Sequence, residues 1–220
     1  MIARIRALNP GRSLAAIAFY QFARGCVRLC FRLTLTYRVR GLEHEPAEGP
    51  VIIVANHQSH LDPPAIGGAP RRHVCFVARR SLFKNKAFGG LIGLLNAFPI
   101  NDEGGSDTAA IRAALDVLKQ RRVLLIFPEG TRSPDGQIKD FKRGVWLLLS
   151  RAKCPVWPAA IDGAVDAFPR GRRFPTLFKH RVRVSFGKPI MPEELLAMKP
   201  EEGLERLKRE VEGLARGLRG

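Results

Sequence analysis

Acidic residues are missing from two long stretches of this sequence, which leaves the chain strongly basic. Residues 1–40 contain eight arginines and no acidic residue, and residues 63–101 contain six basic residues and no acidic residue. Over all 220 residues the formal net charge is +17. Because such a surface attracts anions, it favours a membrane surface, a nucleic acid or a phosphorylated small molecule as partner.

The sequence also lacks the patterns that accompany nucleic-acid binding and metal binding. It contains no zinc-finger spacing, no basic leucine-zipper region and no aromatic RNA-binding signature. Its four cysteines, at positions 26, 30, 75 and 154, do not have the spacing of a zinc site. We therefore expect no nucleic-acid partner, no bound metal and no cofactor.

A long uncharged run is absent as well. The longest covers residues 87–101, fifteen residues, whereas a helix that crosses a bilayer needs about 20 apolar residues. The sequence therefore predicts no ordinary transmembrane helix. We expect a peripheral or monotopic protein at the cytoplasmic face of a membrane.

The first 40 residues form the segment that we expect to contact an anionic membrane surface. Residues 13–35 have helical periodicity, with Arg24, Arg28 and Arg32 on one stripe and apolar residues on the other faces. Such a helix either packs on the domain or lies in the membrane plane. The second alternative is favoured because each basic residue near an anionic surface adds about 1 kcal/mol of attraction. We assign residues 1–40 to this amphipathic segment and residues 41–220 to one domain.

Apolar runs that alternate with helical patterns predict an α/β fold. The predicted strands cover residues 51–55, 122–127, 155–161 and 181–186. The predicted helices cover residues 107–120, 144–153 and the chain from about residue 201. This order indicates a central, mostly parallel or mixed sheet flanked by helices, preceded by the amphipathic helical region.

The loop after the first of these strands contains a candidate acid–base pair. His57 and Asp62 are five residues apart, a poor spacing for one helix face but one that a strand-to-loop turn can bring together. An imidazole oriented by a carboxylate is a general base for a hydroxyl. No serine or cysteine nucleophile is marked out nearby, so the hydroxyl would belong to the substrate. Alternatively, Asp62 is only the N-cap of a helix that begins with Pro63.

A second segment favours the catalytic alternative for His57 and Asp62. Residues 56–62 fit the pattern N-H-x-S-x-x-D, and residues 127–133 read F-P-E-G-T-R-S. Together they resemble the glycerolipid acyltransferase family, of the 1-acylglycerol-3-phosphate O-acyltransferase type, over residues 40–192. The resemblance implies a glycerol-3-phosphate acyltransferase-like fold over residues 41–220. It also implies that His57 is the catalytic base and that Asp62 orients it.

The resemblance places the acceptor's phosphate at the second of these blocks. Arg132 is the strongest candidate, because a guanidinium group binds phosphate with two parallel hydrogen bonds. Gly130 allows a close approach of the backbone, and we expect Glu129 to position Arg132 or a substrate hydroxyl. Residues 156–159 match a further block, in which the family has an apolar wall for the acyl group. The predicted substrate-binding residues are Glu129, Gly130, Thr131, Arg132, Lys142 and Arg79.

The implied reaction is the transfer of a fatty acyl group to the hydroxyl of 1-acylglycerol-3-phosphate, which gives phosphatidic acid in phospholipid biosynthesis. The donor would be acyl-CoA or acyl carrier protein, and the acceptor a lysophospholipid. One position departs from the family, because Asp102 stands where its pattern has an arginine. Two alternatives therefore remain: another lyso-lipid or a non-phosphorylated acceptor, and, from another class, a non-catalytic basic membrane-binding protein.

Overall fold

The computed structural model describes residue 6, residues 9–100 and residues 107–219, with the backbone alone at residues 79, 100 and 107. In this part of the chain the helices are α1 Leu14–Thr34, α2 Asp62–Gly67, α3 Lys86–Leu94, α4 Asp107–Lys119, α5 Arg143–Ala152, α6 Ala164–Ala167, α7 Pro192–Leu196 and α8 Pro200–Arg219. The strands are β1 Arg38–Arg40, β2 Val51–Ala55, β3 Val74–Arg79, β4 Ala97–Ile100, β5 Val123–Ile126, β6 Val156–Asp162 and β7 Arg183–Phe186.

The seven described strands form one mixed sheet in the order β1-β7-β6-β2-β5-β3-β4. The five strands from β6 to β4 are parallel, β7 is antiparallel to β6, and β1 is parallel to β7. Every residue of β2 is buried, as expected for a central parallel strand with helices on both faces. The predicted α/β class and central sheet are confirmed.

Each face of the sheet carries its own core because side chains alternate along a strand. Ile52 and Val54 of β2 face α4, α5 and α8. Val51, Ile53 and Ala55 of the same strand face α1 and α2. One face of α8 lies in the first core, where it buries Leu204, Leu207, Val211, Ala215 and Leu218.

Helix α1 confirms the helix predicted near the start of the chain. Ser13 caps it by accepting a hydrogen bond from the amide of Ala16 at 3.2 Å. One face packs on the domain, where the hydroxyl of Tyr20 donates to the carbonyl of Gly67 at 3.1 Å. A second face leaves Phe22, Leu29 and Leu33 exposed. One face of α1 therefore packs on the domain, and contact of the exposed face with a membrane stays a prediction.

The length and composition of α1 also meet the criteria for a membrane span. Its 21 residues are long and apolar enough to cross a bilayer, and only 17% of its most apolar part is buried. The sequence pattern did not reveal this helix as a possible span, because only uninterrupted uncharged runs were counted, and Arg24 and Arg28 interrupt this one. Core helices of soluble proteins and signal sequences share this length and composition, so α1 gives weak support for membrane association.

Candidate active site

The two sequence blocks leave the same edge of the sheet. Strands β2 and β5 are parallel neighbours with Val54 opposite Ile126, so the loops that follow them begin side by side. The amide of Ser133 donates to the carbonyl of His57 at 2.7 Å. Ligands of open α/β sheets bind at this carboxyl edge of the strands. The structure therefore joins the two blocks at the position where a site is expected.

His57 and Asp62 are in direct contact. The Nδ1–H group of His57 donates to Oδ2 of Asp62 at 2.7 Å. The same oxygen accepts the amides of Gln58 at 2.5 Å and Ser59 at 2.7 Å, and Asp62 is fully buried. Because the carboxylate accepts from Nδ1, the proton-free nitrogen of the neutral ring is Nε2.

The alternative in which Asp62 is only the N-cap of a helix is wrong. Asp62 is the first residue of α2, and Leu61 stands at the cap position without a side-chain hydrogen bond. The carboxylate instead turns back toward the preceding loop, where two amides and the imidazole of His57 converge on it. The carboxylate of Asp62 therefore orients the ring of His57 and does not cap α2.

The ring of His57 is held on its flat side by Phe127, the first residue of the second block. The two ring centroids are 4.0 Å apart and the rings are nearly parallel, at 14°. Stacking and the bond to Asp62 together fix the plane and rotation of the imidazole. Sequence reasoning missed this partner, although an aromatic residue directly after a buried strand was a usable signal.

Two buried polar residues fix the loop that carries His57. The side chain of Asn56 donates to the carbonyl of Ile161 and accepts from its amide, both at 2.9 Å. Glu129 accepts the amide of His57 at 2.8 Å and the amide of Lys139 at 3.2 Å. Burial raises the pKa of Glu129, and these two backbone hydrogen bonds oppose the rise. Glu129 thus supports the backbone of His57, and its expected action on Arg132 or a substrate hydroxyl stays a prediction.

Gly130 and Lys142 form a close pair beside the histidine. Gly130 has a φ of +68°, and a Cβ atom there would lie 2.6 Å from Cε and Nζ of Lys142. A larger residue would therefore be strained and would displace the lysine. The amide of Lys142 donates to the carbonyl of Pro128 at 2.9 Å, which fixes the start of α5 against the same loop.

A cavity of about 350 Å³ opens between these residues and the helices α4 and α5. Its polar lining includes His57 and Lys142, and Lys142 is the one charged residue among the described residues that line it. The apolar lining comes from β3, α4, β5 and α5 and includes Val77, Ile111, Ala114, Ile126, Val145 and Leu148. Such a cavity accommodates an aliphatic chain whose polar end reaches the histidine.

Residues 156–159, expected to form an apolar wall near the acyl group, lie outside the lining of this cavity. These residues belong to β6 and are buried in the core, where the ring of Trp157 packs on Phe186 at 4.4 Å. None of them lines the cavity. The apolar lining of the cavity comes from β3, α4, β5 and α5, and the wall at residues 156–159 stays a prediction.

Some predicted residues lie beside the cavity rather than in it. Thr131 is exposed and Arg132 is half-buried in the loop after β5, and neither lines the cavity. Arg79 is the last residue of β3, and its side chain lies outside the described part of the structure. Asp102 also lies outside the described residues.

A carboxylate-bound histidine at the mouth of an apolar cavity suits an enzyme that acylates a hydroxyl. The sequence profile of the Acyltransferase family matches residues 36–162, a segment that contains both blocks and ends with β6. The chain belongs to this family and is an O-acyltransferase.

Proteins with similar sequences are named as acyltransferases, which agrees with this family assignment. The 1-acyl-sn-glycerol-3-phosphate acyltransferase of Streptococcus pneumoniae strain R6 is 30% identical over 203 residues, 88% of this chain and 70% of its own length. A chloroplastic protein of the same name from Brassica napus is 28% identical over 69% of this chain. The chain spans only 44% of the length of that plant protein.

A solved structure extends the similarity to the fold. The crystal structure of the 1-acyl-sn-glycerophosphate acyltransferase of Thermotoga maritima superposes with a TM-score of 0.70 at 30% sequence identity. The match covers 90% of this chain and 79% of that one.

Proposed function

We propose that the chain transfers a fatty acyl group from a thioester donor to the hydroxyl of 1-acyl-sn-glycerol-3-phosphate, forming phosphatidic acid for phospholipid synthesis. The observation that carries the proposal is the 2.7 Å contact between His57 and Asp62 at the mouth of an apolar cavity. Relatives that are named for this reaction support it.

In the proposed mechanism, His57 is the general base. Its Nε2 atom removes the proton of the acceptor hydroxyl as that oxygen attacks the thioester carbonyl carbon. The new carbon–oxygen bond forms, the carbon–sulfur bond breaks, and the leaving thiolate takes the proton from the imidazolium ring. Asp62 keeps the proton of Nδ1 in place and offsets the positive charge while the imidazolium exists.

The acyl chain and the acceptor's phosphate are proposed to bind at the apolar part and the polar part of the cavity beside His57. The acyl chain enters the cavity between α4 and α5, where its burial is favourable by about 0.8 kcal/mol per CH₂ group. The phosphate of the acceptor binds near Lys142, with Arg132, Thr131 and Arg79 as further candidates. Both acyl-CoA and acyl carrier protein fit the basic surface as donors, since each carries negative charge.

We place the reaction at the cytoplasmic face of a membrane, to which the protein binds as a peripheral or monotopic protein. Phe22 of α1 is 71% exposed, and Phe174 and Phe178 are 71% and 76% exposed. The amide of Phe178 donates to the carbonyl of Thr34 at 2.6 Å, so the loop that carries these phenylalanines adjoins the end of α1. Aromatic residues among arginines suit the headgroup region of an anionic bilayer.

Residues 1–40 are proposed as the membrane-associating segment and residues 41–220 as the acyltransferase domain. Removal of residues 1–35 should release the protein from anionic vesicles and reduce activity on dispersed lipid more than on a short, soluble acceptor. Full vesicle binding by the shortened protein would exclude this division of the chain.

Asp102 motivates a second candidate, in which the acceptor is another lyso-lipid or carries no phosphate. A carboxylate beside an acceptor phosphate would repel it unless the acid is turned away or paired. Replacement Asp102→Arg should preserve or improve use of 1-acyl-sn-glycerol-3-phosphate if that is the native acceptor. A wild-type enzyme that ignores this acceptor, together with a variant that gains it, would establish the second candidate.

One assay tests the proposed function and both acyl donors. Purified protein is incubated with labelled acyl-CoA or with acyl carrier protein that carries a labelled acyl thioester, and with lyso-lipids that do or do not carry a phosphate. We expect labelled phosphatidic acid, formed on the order of 10² to 10⁴-fold more slowly by a His57→Ala protein. Vesicle binding without acyl transfer to any acceptor would leave the non-catalytic membrane-binding protein as the explanation.

A further inference from the structure

Four arginines line a second cavity, at the edge of the sheet formed by β1 and β7. The cavity has a volume of about 260 Å³ and is lined by Arg38, Arg40, Arg181 and Arg183 together with the end of α8 at Gly217 and Leu218. It shares no lining residue with the cavity at His57. It therefore requires its own explanation.

The strand register explains why three of these side chains share one face. Arg38 is opposite Arg183 and Arg40 is opposite Ser185 in the parallel ladder of β1 and β7. Val39 and Val184 alternate with them and face the core on the other side. Like charges placed directly opposite each other destabilise a sheet, so the pair Arg38 and Arg183 is costly without an anion.

The fourth arginine is placed by a close backbone contact. Gly163 has a φ of +78°, and a Cβ atom there would lie 1.9 Å from the carbonyl oxygen of Arg181. Only glycine fits this contact, which fixes the backbone of Arg181 two residues before β7. Three of the four arginines are therefore on strands, and the fourth is on a segment held by this contact.

The carboxylates near these arginines do not balance their charge. Asp162 contacts both Arg183, at 3.4 Å, and Arg219, at 3.1 Å. Within the described part of the chain, Arg38, Arg40 and Arg181 make no side-chain hydrogen bond or ion pair. The Nε atom of Arg183 is buried and has no hydrogen-bond partner among the described residues. A buried donor of this kind is costly when unpaired.

The arginine cavity lies at the same end of the sheet as His57. Strand β6 ends at Asp162, which is opposite Arg183, and Arg183 is opposite Arg38. Asn56, the neighbour of His57, is bonded to Ile161 near the same end of β6. From β2 to β1 there are three strand spacings, or about 14 Å.

We propose that Arg38, Arg40, Arg181 and Arg183 form a phosphate-binding site distinct from the acceptor's phosphate site near Lys142. Guanidinium groups bind phosphate oxygens with paired hydrogen bonds, and several of them suit a ligand with more than one phosphate charge. The ligand is either the nucleotide end of acyl-CoA or the headgroup of an anionic phospholipid. The first source rests on the proposed acyl transfer, since the pantetheine arm would run from this site to His57.

Binding measurements without turnover test the site directly. Coenzyme A and pantetheine, which lacks the nucleotide phosphates, are titrated into the full chain by calorimetry. In parallel, sedimentation measures binding to phosphatidylcholine vesicles with and without phosphatidylglycerol. The test variant is Arg38→Gln/Arg181→Gln, and the control Arg151→Gln/Arg209→Gln removes the same charge from exposed positions on α5 and α8. Arg38 and Arg181 are exposed, so the test variant should fold.

If coenzyme A is the source, the test variant binds it at least tenfold more weakly, as expected for the loss of two charged hydrogen bonds, while pantetheine binding is unchanged. If lipid is the source, binding to phosphatidylglycerol vesicles falls and coenzyme A binding does not. An unchanged test variant in both assays, or an equal loss in the control, would overturn the site. A His57→Ala protein should still bind, so failure of the proposed catalysis would be recognised separately.

Discussion

His57 and His73 both stack on an aromatic ring, but a carboxylate contacts His57 whereas arginines surround His73. His57 donates to the carboxylate of Asp62 at 2.7 Å. The Nε2 atom of His73 instead accepts from the side-chain amide of Gln21 at 3.0 Å, and its ring lies 3.9 Å from that of Tyr20. Burial, followed by the charges of Arg24, Arg12 and Arg122, lowers the pKa of His73 to about 3.

The difference shows what turns a histidine into a base. A carboxylate beside Nδ1 stabilises the ring after it has accepted a proton at Nε2, whereas burial among arginines keeps the ring neutral. His73 instead connects α1 to the start of β3, because Gln21 belongs to α1 and Val74 follows directly in the strand. One histidine is suited to chemistry and the other to holding the first helix on the domain.

The largest expected effect is on turnover, which replacement of His57 should lower and replacement of His73 should not. His57→Ala should lower turnover on the order of 10² to 10⁴-fold, the usual contribution of a general base, with little change in acceptor binding. His73→Gln keeps a polar side chain and should retain turnover within a few-fold. Initial rates at saturating acceptor measure both variants.

The exposed neighbour His60 is the control for loop disturbance. Its ring lies 5.9 Å from that of Phe168, and His60→Ala should be mild. An inactive His60→Ala or His73→Gln protein beside an active His57→Ala protein would reverse the assignment of the base.

A second effect concerns the cations beside His57. Arg132→Ala and Lys142→Met should each weaken transition-state binding by roughly 1.5 to 3 kcal/mol if they bind the acceptor's phosphate. The apparent KM for 1-acyl-sn-glycerol-3-phosphate should rise in both variants. Kinetics with varied acceptor concentration measure this effect.

Arg143 provides the matched control for Lys142. It is the next residue, but its side chain is exposed and forms a surface ion pair with Glu201 at 3.4 Å. Arg143→Met should behave like the wild type, because exposed ion pairs contribute about 1 kcal/mol or less. Equal losses in both variants would attribute the effect to net charge rather than to the site.

The sequence predicted those parts of the fold and of the site that lie within one short segment of the chain. The contact of His57 with Asp62 spans five residues, and the long apolar runs of β2, β5 and β6 predicted their strands. Helix α1 was visible from its periodicity. In each case the information lies within one short segment of the chain.

Features that depend on distant parts of the chain were missed. Strand β1 has three residues, two of them arginines, and shows no apolar run. Strand β3 lies in a stretch that the sequence suggested was a basic surface. Arg72, just before it, is buried and donates to the carbonyls of Pro46, Gly49 and Arg121. Charge counts could not reveal this inward-facing arginine or the cavity wall from α4 and α5.

The low pKa of His73 leads to a third prediction, on stability. The unfolded chain binds a proton at His73 below about pH 6.5, whereas the folded protein does so only near pH 3. Stability is therefore fully present above pH 6.5 and falls as the pH drops toward 3. Between pH 6.5 and pH 5 this histidine should account for a loss of about 2 kcal/mol.

Urea unfolding at several pH values measures that loss, and His73→Gln should flatten the profile over the same interval. His180, which is half-buried and far from this contact in the sequence, supplies the comparison through His180→Gln. A wild-type profile that matches the His73→Gln profile would show that His73 titrates normally in the folded protein.

The smallest expected effect is on vesicle binding, and it distinguishes an exposed arginine of α1 from one that contacts the domain. Arg24 donates to the carbonyls of Pro70, at 2.5 Å, and Arg71, at 3.1 Å, whereas Arg32 is exposed. Arg32→Gln should weaken binding to anionic vesicles by about fivefold at low salt, which corresponds to about 1 kcal/mol for one charge at a membrane surface. High salt should remove this difference.

Arg24→Gln should instead lower the free energy of unfolding, because its lost partners are protein carbonyls. Vesicle sedimentation and urea unfolding on both variants measure the two quantities. If Arg24→Gln reduces vesicle binding as strongly as Arg32→Gln while stability is unchanged, then both arginines face the membrane, and α1 is docked on the domain less firmly than its contacts indicate.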